Sequence, residues 1–264
     1  MDLQLKHKVA LVMAGSKGLG RACAETLATE GAHVCICARN KEELEKTASS
    51  IREKTGNSQE IMPMVTDLTH ADQVEAMISA AATHFGTIDI LVNNAGGPPF
   101  GPFSSFQDAD WQRAFDLNLM SMVRCSRLSV PYMRKSGSGR IINIISMSVN
   151  TFLEGSVLST AMRMAVKGTA KMLAQELGPH GITVNNVAPG SILTDRLKDT
   201  MLRNPQAEIS YEEKLASLAS TIPVRRLGTP QELAALVAFL ASPLSGYISG
   251  ATIPIDGGVS KNIS

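Results

Sequence analysis

The stretch VALVMAGSKGLGRA, residues 9–22, decides the fold. Its first six residues carry no charge and read as a buried parallel strand, VALVMA (9–14). The glycines after it let the backbone turn tightly and approach a ligand. A helix is expected from about Gly18 to Glu30. Such a strand–turn–helix presents free N–H groups and the positive end of a helix dipole, a ready cradle for a pyrophosphate. A glycine cluster alone is weak evidence. The second strand, HVCICA (33–38), makes it a βαβ unit and strengthens it considerably.

The alternation continues outward from this unit. A charged helix is expected over KEELEKTASSIREKT, then a strand at IMPMVTDL (61–68) and a helix at ADQVEAMISAAATHFG. IDILVNNAG (88–96) reads as a strand and turn, and further strands are GRIINIIS (139–146), ITVNNVAPG (182–190) and GATIPIDGG (250–258). A helix pair spans roughly Asp108 to Met133, and LSTAMRMAVKGTAKML (158–173) is the helix after the fifth strand. Seven strands with helices between them predict an α/β, Rossmann-type, doubly wound parallel sheet. No linker or repeat divides residues 1–264, so one dinucleotide-binding and catalytic domain is expected. The long irregular segment from Ser191 to about Arg226 follows a strand's carboxyl end. It reads as a substrate lid, or alternatively as a surface excursion or subunit contact.

Composition excludes several classes. Apolar residues at 44% suffice for a large core, which argues against disorder. A net charge of +1 with dispersed Lys and Arg offers no basic stripe for nucleic acid. The start MDLQLKHKVALVM reads as a first strand, not a signal peptide, and no membrane span is expected. Cys23, Cys35, Cys37 and Cys125 form no CxxC and have no histidine at metal-ligand spacing. They read as buried free thiols in a reducing cytoplasm, and no metal is expected.

The second strand ends CICARN, with Ala38 and Arg39 where NAD-selective sites place an acid. A guanidinium can grip a 2′-phosphate that a carboxylate would repel. Lys17 offers a second cation, so NADP(H) is favoured over NAD(H); otherwise both are solvated surface charges. Asp67 is placed either to accept from the adenine amino group or to cap a helix beside Thr69.

The Gly-rich turn, NNAG (93–96), LNL with Asn118, IINIIS ending at Ser146, NNVAPGSILT (185–194), IPVRRLGTPQELAALVAFLAS (222–242) and YISGATIPIDGG (247–258) coincide along the chain. On these motifs the sequence resembles the short-chain dehydrogenase/reductase family, and most the ketoacyl-carrier-protein reductase-like subgroup. The resemblance implies a single seven-stranded domain, a small-molecule substrate and a homotetramer or homodimer. It places the cofactor against Ala14, Gly15, Ser16, Lys17, Gly18, Leu19 and Gly20. Asn93, Asn94, Ala95 and Gly96 would line its adenosine side, and Arg39, Asp67 and Leu68 are further candidate cofactor contacts. Pro189, Gly190, Ile192 and Thr194 would wrap the nicotinamide and pyrophosphate. Asn118 would hold a relay water and Ser146 the substrate oxygen.

Two departures stand out. Ala14 occupies the place of the family's first turn glycine, which the turn tolerates if its backbone angles are ordinary. The family's tyrosine, thirteen residues after the serine, is here Ser159, and its lysine is Arg163. An aliphatic hydroxyl is a far weaker acid than phenol. Arg163, one turn from Ser159 on the same face, keeps a positive charge but does not shuttle protons. Three readings follow: an oxidoreductase using Ser146, Ser159, Arg163 and Asn118; a cofactor-binding protein without turnover; or non-redox chemistry in the same pocket. Glu154 is either a buried acid or a surface carboxylate. Lys167 reads as a packing or interface residue, and His180 as exposed. Trp111 is a candidate for a helix-to-helix interface. Met147, Phe152, Leu153, Leu158 and Met162 either line a greasy pocket or belong to the core.

Overall fold

The computed structural model describes residues 1–56, 58–202 and 210–261. The first strand, β1 (Val9–Val12), is buried throughout and leads through the glycine turn into α1 (Gly18–Thr29). Then follow β2 (His33–Ala38), α2 (Lys41–Lys54), β3 (Ile61–Val65), α3 (Ala71–Phe85) and β4 (Ile90–Asn93). After these come α4 (Asp108–Ala114), α5 (Ser121–Ser136), β5 (Gly139–Ile144), α6 (Val157–Leu177) and β6 (Ile182–Pro189). The chain closes with α7 (Asp195–Leu202), α8 (Tyr211–Thr221), α9 (Pro230–Ala241) and β7 (Thr252–Ile255).

The strands form one parallel sheet in the order β3-β2-β1-β4-β5-β6-β7. Strand side chains alternate between two cores, as the period of two requires. Ala10, Val12, Ile36 and Ile142 pack with α1, α2 and α9. Leu11, Cys35, Cys37 and Ile141 pack on the other face with α3, α5 and α6. All four cysteines are buried free thiols, and desolvation pushes Cys23 and Cys37 up to about 12. The winding reverses between β1 and β4, so the crevice beyond their carboxyl ends is where ligands bind in such sheets.

Most strands are shorter than the runs that announce them, and three boundaries bear on the site. The third strand stops at Val65, because Thr66 to His70 form the turn that starts α3. The helix pair over 108–133 is one helical run to Ser136, widened by a π turn at Phe115–Met120. The segment 191–226 is not irregular. It holds α7 and α8, the latter closed by a Ser210–Glu213 capping box, while residues 203–209 lie outside the described residues. Among the described residues no helix is long and apolar enough to cross a membrane.

A row of polar side chains crosses the sheet beneath the crevice. Asn93, Asn143, Asn186 and Thr252 are directly opposite one another on β4, β5, β6 and β7. Asn93 Nδ2 donates to Asn143 Oδ1 at 2.9 Å, and Asn143 Nδ2 to Asn186 Oδ1 at 2.9 Å. Asn186 Nδ2 ends the row on Thr252 Oγ1 at 3.2 Å. Buried amides are tolerated only when bonded, so the row fixes strand register.

Candidate active site

The glycine turn is built for close approach. A β-carbon on Gly20 would stand 2.3 Å from Ala14 O, and one on Gly15 2.9 Å from Ile36 Cγ2. Gly18 is left-handed, φ +54°. Ala14 is also left-handed, φ +48°, so the condition of ordinary backbone angles is not met and its methyl carries strain. Asn94 Nδ2 steadies the turn through Met13 O at 3.2 Å and Ala14 O at 3.4 Å. Thr47 Oγ1 holds Ser16 O at 2.8 Å. Lys17 is the N-cap of α1 without a side-chain cap, which leaves the first N–H groups of the helix for an anion. Leu19 turns inward against the core.

Lys17 Nζ pairs with Glu43 at 3.0 Å. Arg39 is exposed just beyond β2. Asp67 closes the turn before α3, whose N-cap is His70: Oδ1 accepts from Thr69 N at 2.9 Å and Thr69 Oγ1 at 2.8 Å. Burial opposes its ionisation, but those hydrogen bonds and the charge of Arg39 hold the carboxyl below the usual range. Leu68 is core. Gly190, after Pro189, packs so closely on Asp256 that a β-carbon would meet it at 2.7 Å. Ile192 is buried, bridging to Gly228. Thr194 reaches over the turn, with Cγ2 3.8 Å from a β-carbon built on Gly18. These groups fit a dinucleotide diphosphate.

At the other end of the crevice, Ser146 lies two residues past β5. Its Oγ accepts from Ser148 N at 3.1 Å, which leaves the O–H to donate. Ser159 is half-buried in the first turn of α6, four residues before Arg163. Arg163 is turned inward. Nη1 donates to Ile144 O at 2.5 Å and Nη2 to Ala95 O at 3.3 Å, while Nε is buried without a partner. Burial, with the charge of Arg196, lowers its pKa to about 10, so it remains a cation at neutral pH. The π turn aims Asn118 at the same place. Its Nδ2 donates to Gly96 O at 2.8 Å and its Oδ1 has no partner. Asn93 does not face the adenosine side, because its amide is committed to the sheet row and its Oδ1 is also unpartnered. Asn93, Asn118, Asn143 and Arg163 line one small cavity with about 10 Å³ open to a water centre. That is about the room for one water among three polar atoms seeking partners.

The remaining candidates separate. Glu154 is exposed, as is Phe152 at 89%. Leu158 and Met162 are core, and Trp111 packs with them between α4 and α6. Met147 and Leu153 are half-buried. Lys167 Nζ donates to Asn150 Oδ1 at 3.1 Å, and His180 is exposed. Sequence reasoning missed Asn143, Asn186 and Arg196. An Asn recurring within three successive strands was a signal for the first two; nothing local marks Arg196.

A model of the family described as "Enoyl-(Acyl carrier protein) reductase" matches residues 13–260. The chain belongs to the short-chain dehydrogenase/reductase family. Short-chain reductase protein NovJ of Streptomyces niveus is 36% identical over 253 residues, 96% of this chain and 94% of that protein. The 3-oxoacyl-[acyl-carrier-protein] reductase FabG of Vibrio cholerae is 37% identical over 257 residues, 97% of this chain and 99% of that protein. The L-sorbose reductase of Gluconobacter frateurii, solved with NADPH and L-sorbose, superposes with a TM-score of 0.95 at 33% identity and covers 100% of both chains.

Proposed function

We propose that the protein is an NADP(H)-dependent oxidoreductase that reduces a carbonyl or a related C=N or conjugated C=C group, with Ser146, Ser159, Arg163 and Asn118 in place of the usual tyrosine-centred site. The observation that carries the reading is the intact crevice: a phosphate turn, an uncapped α1 and a polar centre at Ser146 and Asn118 with a buried cation beneath. When bound, the dinucleotide supplies the hydride. Ser146 Oγ–H donates to the substrate oxygen as negative charge grows there. Arg163 sits beneath as a fixed positive charge, its guanidinium held by two carbonyls. Asn118 Oδ1 orients a water in the small cavity. Ser159 is too weak an acid to finish the reaction, so the proton comes from water or the substrate. An iminium becomes a neutral amine on taking the hydride, and a conjugated carbonyl becomes a stabilised enolate, so both need an enzymic acid less than a simple ketone does.

Arg39, with Lys17 released from Glu43, selects the 2′-phosphate. The NADPH bound to the L-sorbose reductase, and YwfH, an NADPH-dependent reductase involved in bacilysin biosynthesis, support this choice. Exposed Met164 and Met172 on α6 support assembly as a homodimer or homotetramer, which sedimentation checks. The buried thiols support a reducing, cytoplasmic setting. The test is NADPH oxidation across ketones, imines and conjugated carbonyls. Turnover lost in Ser146→Ala supports the reading, and no response across the panel favours a cofactor-binding scaffold.

A further inference from the structure

Helix α2 is fastened to the phosphate turn at two neighbouring points. Thr47 Oγ1 donates to Ser16 O at 2.8 Å. Glu43 lies four residues earlier, on the same face of α2, and takes Lys17 Nζ at 3.0 Å. The first fastening is buried, with Thr47 1% exposed. The second is open: the Lys17 and Glu43 side chains are 60% and 37% exposed. Glu43 is itself held in place by its backbone, whose N–H donates to the Asn40 cap of α2 at 3.0 Å.

Glu43 is an anion set among cations. The hydrogen bond from Lys17 comes first among the causes that hold its carboxyl below the usual range, and the charges of Lys46 and Arg21 add to it. The two cations offered to a 2′-phosphate therefore differ. Arg39 stands exposed just before the Asn40 cap, and its charge acts on Asp67. Lys17 is already paired. A phosphate that takes Lys17 must take it from Glu43, and the carboxylate left beside it repels the newcomer. We infer that Glu43 is a specificity-determining residue: it holds Lys17 until the 2′-phosphate displaces it, while a dinucleotide without that phosphate leaves the pair closed. This deepens the reading that Lys17 and Arg39 take the 2′-phosphate, and rests on it. An exposed ion pair is weak, whereas a phosphate gripped by two cations forms charge-assisted hydrogen bonds. The displacement thus lowers the affinity for NADPH without abolishing the preference.

The test is read by binding, independently of turnover. Glu43→Gln keeps the length of the side chain and removes its charge. In fluorescence titrations at low salt, NADPH should bind the variant about five-fold tighter than the native protein, and NADH should change less than about two-fold. The same contrast is expected between 2′,5′-ADP and 5′-AMP, which carry no nicotinamide. In a Lys17→Ala background the gain from Glu43→Gln should fall below about two-fold, since the two residues act as a pair. Unchanged NADPH affinity, or equal tightening of NADPH and NADH, overturns the inference. So does a gain that persists without Lys17, which would make Glu43 a source of repulsion alone. Failure of the 2′-phosphate reading shows differently: the native protein then has no preference for NADPH over NADH, nothing displaces Glu43, and the inference falls with it.

Discussion

Ala14 and the Ser159–Arg163 pair hold the residue-scale consequences. Ala14 has a left-handed backbone that a β-carbon disfavours by about 1 kcal/mol. Ala14→Gly relieves that strain but gives the unfolded chain more entropy to lose. The first effect should win, raising stability by up to about 0.5 kcal/mol in denaturant melts; a destabilised variant would show that the turn is not strained. The departure was visible in the sequence, but the sign of φ was not, since only the packed turn sets it. The double change Ser159→Tyr with Arg163→Lys should make ketone reduction appear or rise by about ten-fold or more in an NADPH assay. No change would mean that the crevice is not aligned for hydride transfer. At the cofactor's far end, Arg39→Ala should shrink the preference for NADPH over NADH in fluorescence titrations, and equal native affinities would remove the 2′-phosphate reading.

At the scale of elements, α6 and the π turn carry the site. The helical spacing of Ser159 and Arg163 was legible from sequence; the inward turn of Arg163 was not, because it depends on carbonyls of β5 and the loop after β4. The π turn left no mark beyond the motif around Asn118. The segment over 191–226 shows the same limit, since α8 begins on its Ser210–Glu213 box while the apolar pattern of the segment is weak. The start of α9 is more strongly built. Glu232 closes a capping box with Thr229 and accepts from Arg226 at 2.6 and 2.9 Å. The hydrogen bond from Arg226 comes first among the causes that lower its pKa to about 2. A depressed carboxylate stabilises the fold above its unfolded pKa, and that contribution is lost as pH falls toward 2. Acid melts of the native protein and Glu232→Gln should therefore differ near neutrality and converge near pH 2. Curves separated by a constant amount at every pH would contradict the linkage.

At the scale of the molecule, the order of strands and helices was readable because buried parallel strands are short apolar runs between periodic helices. What binds the sheet across its width was not. Asn143 looks like a polar interruption of GRIINIIS, yet it is the middle of a four-strand row. Asn143→Leu should cost about 1–3 kcal/mol for each neighbouring amide it strands, measured by chemical denaturation. The row also places Asn93 against the cavity shared by Asn118 and Arg163, so the sheet and the site are one polar system. The central claim is that hydride chemistry proceeds here over a fixed buried cation without a titrating acid. The pH dependence of kcat/KM for NADPH oxidation with a conjugated carbonyl tests it most directly. Neither a serine hydroxyl nor Arg163, at about 10, titrates near neutrality, so the profile should be flat from about pH 6 to about pH 9 and fall only as pH approaches 10. A break within that range would place a titrating acid in the reaction and contradict the account.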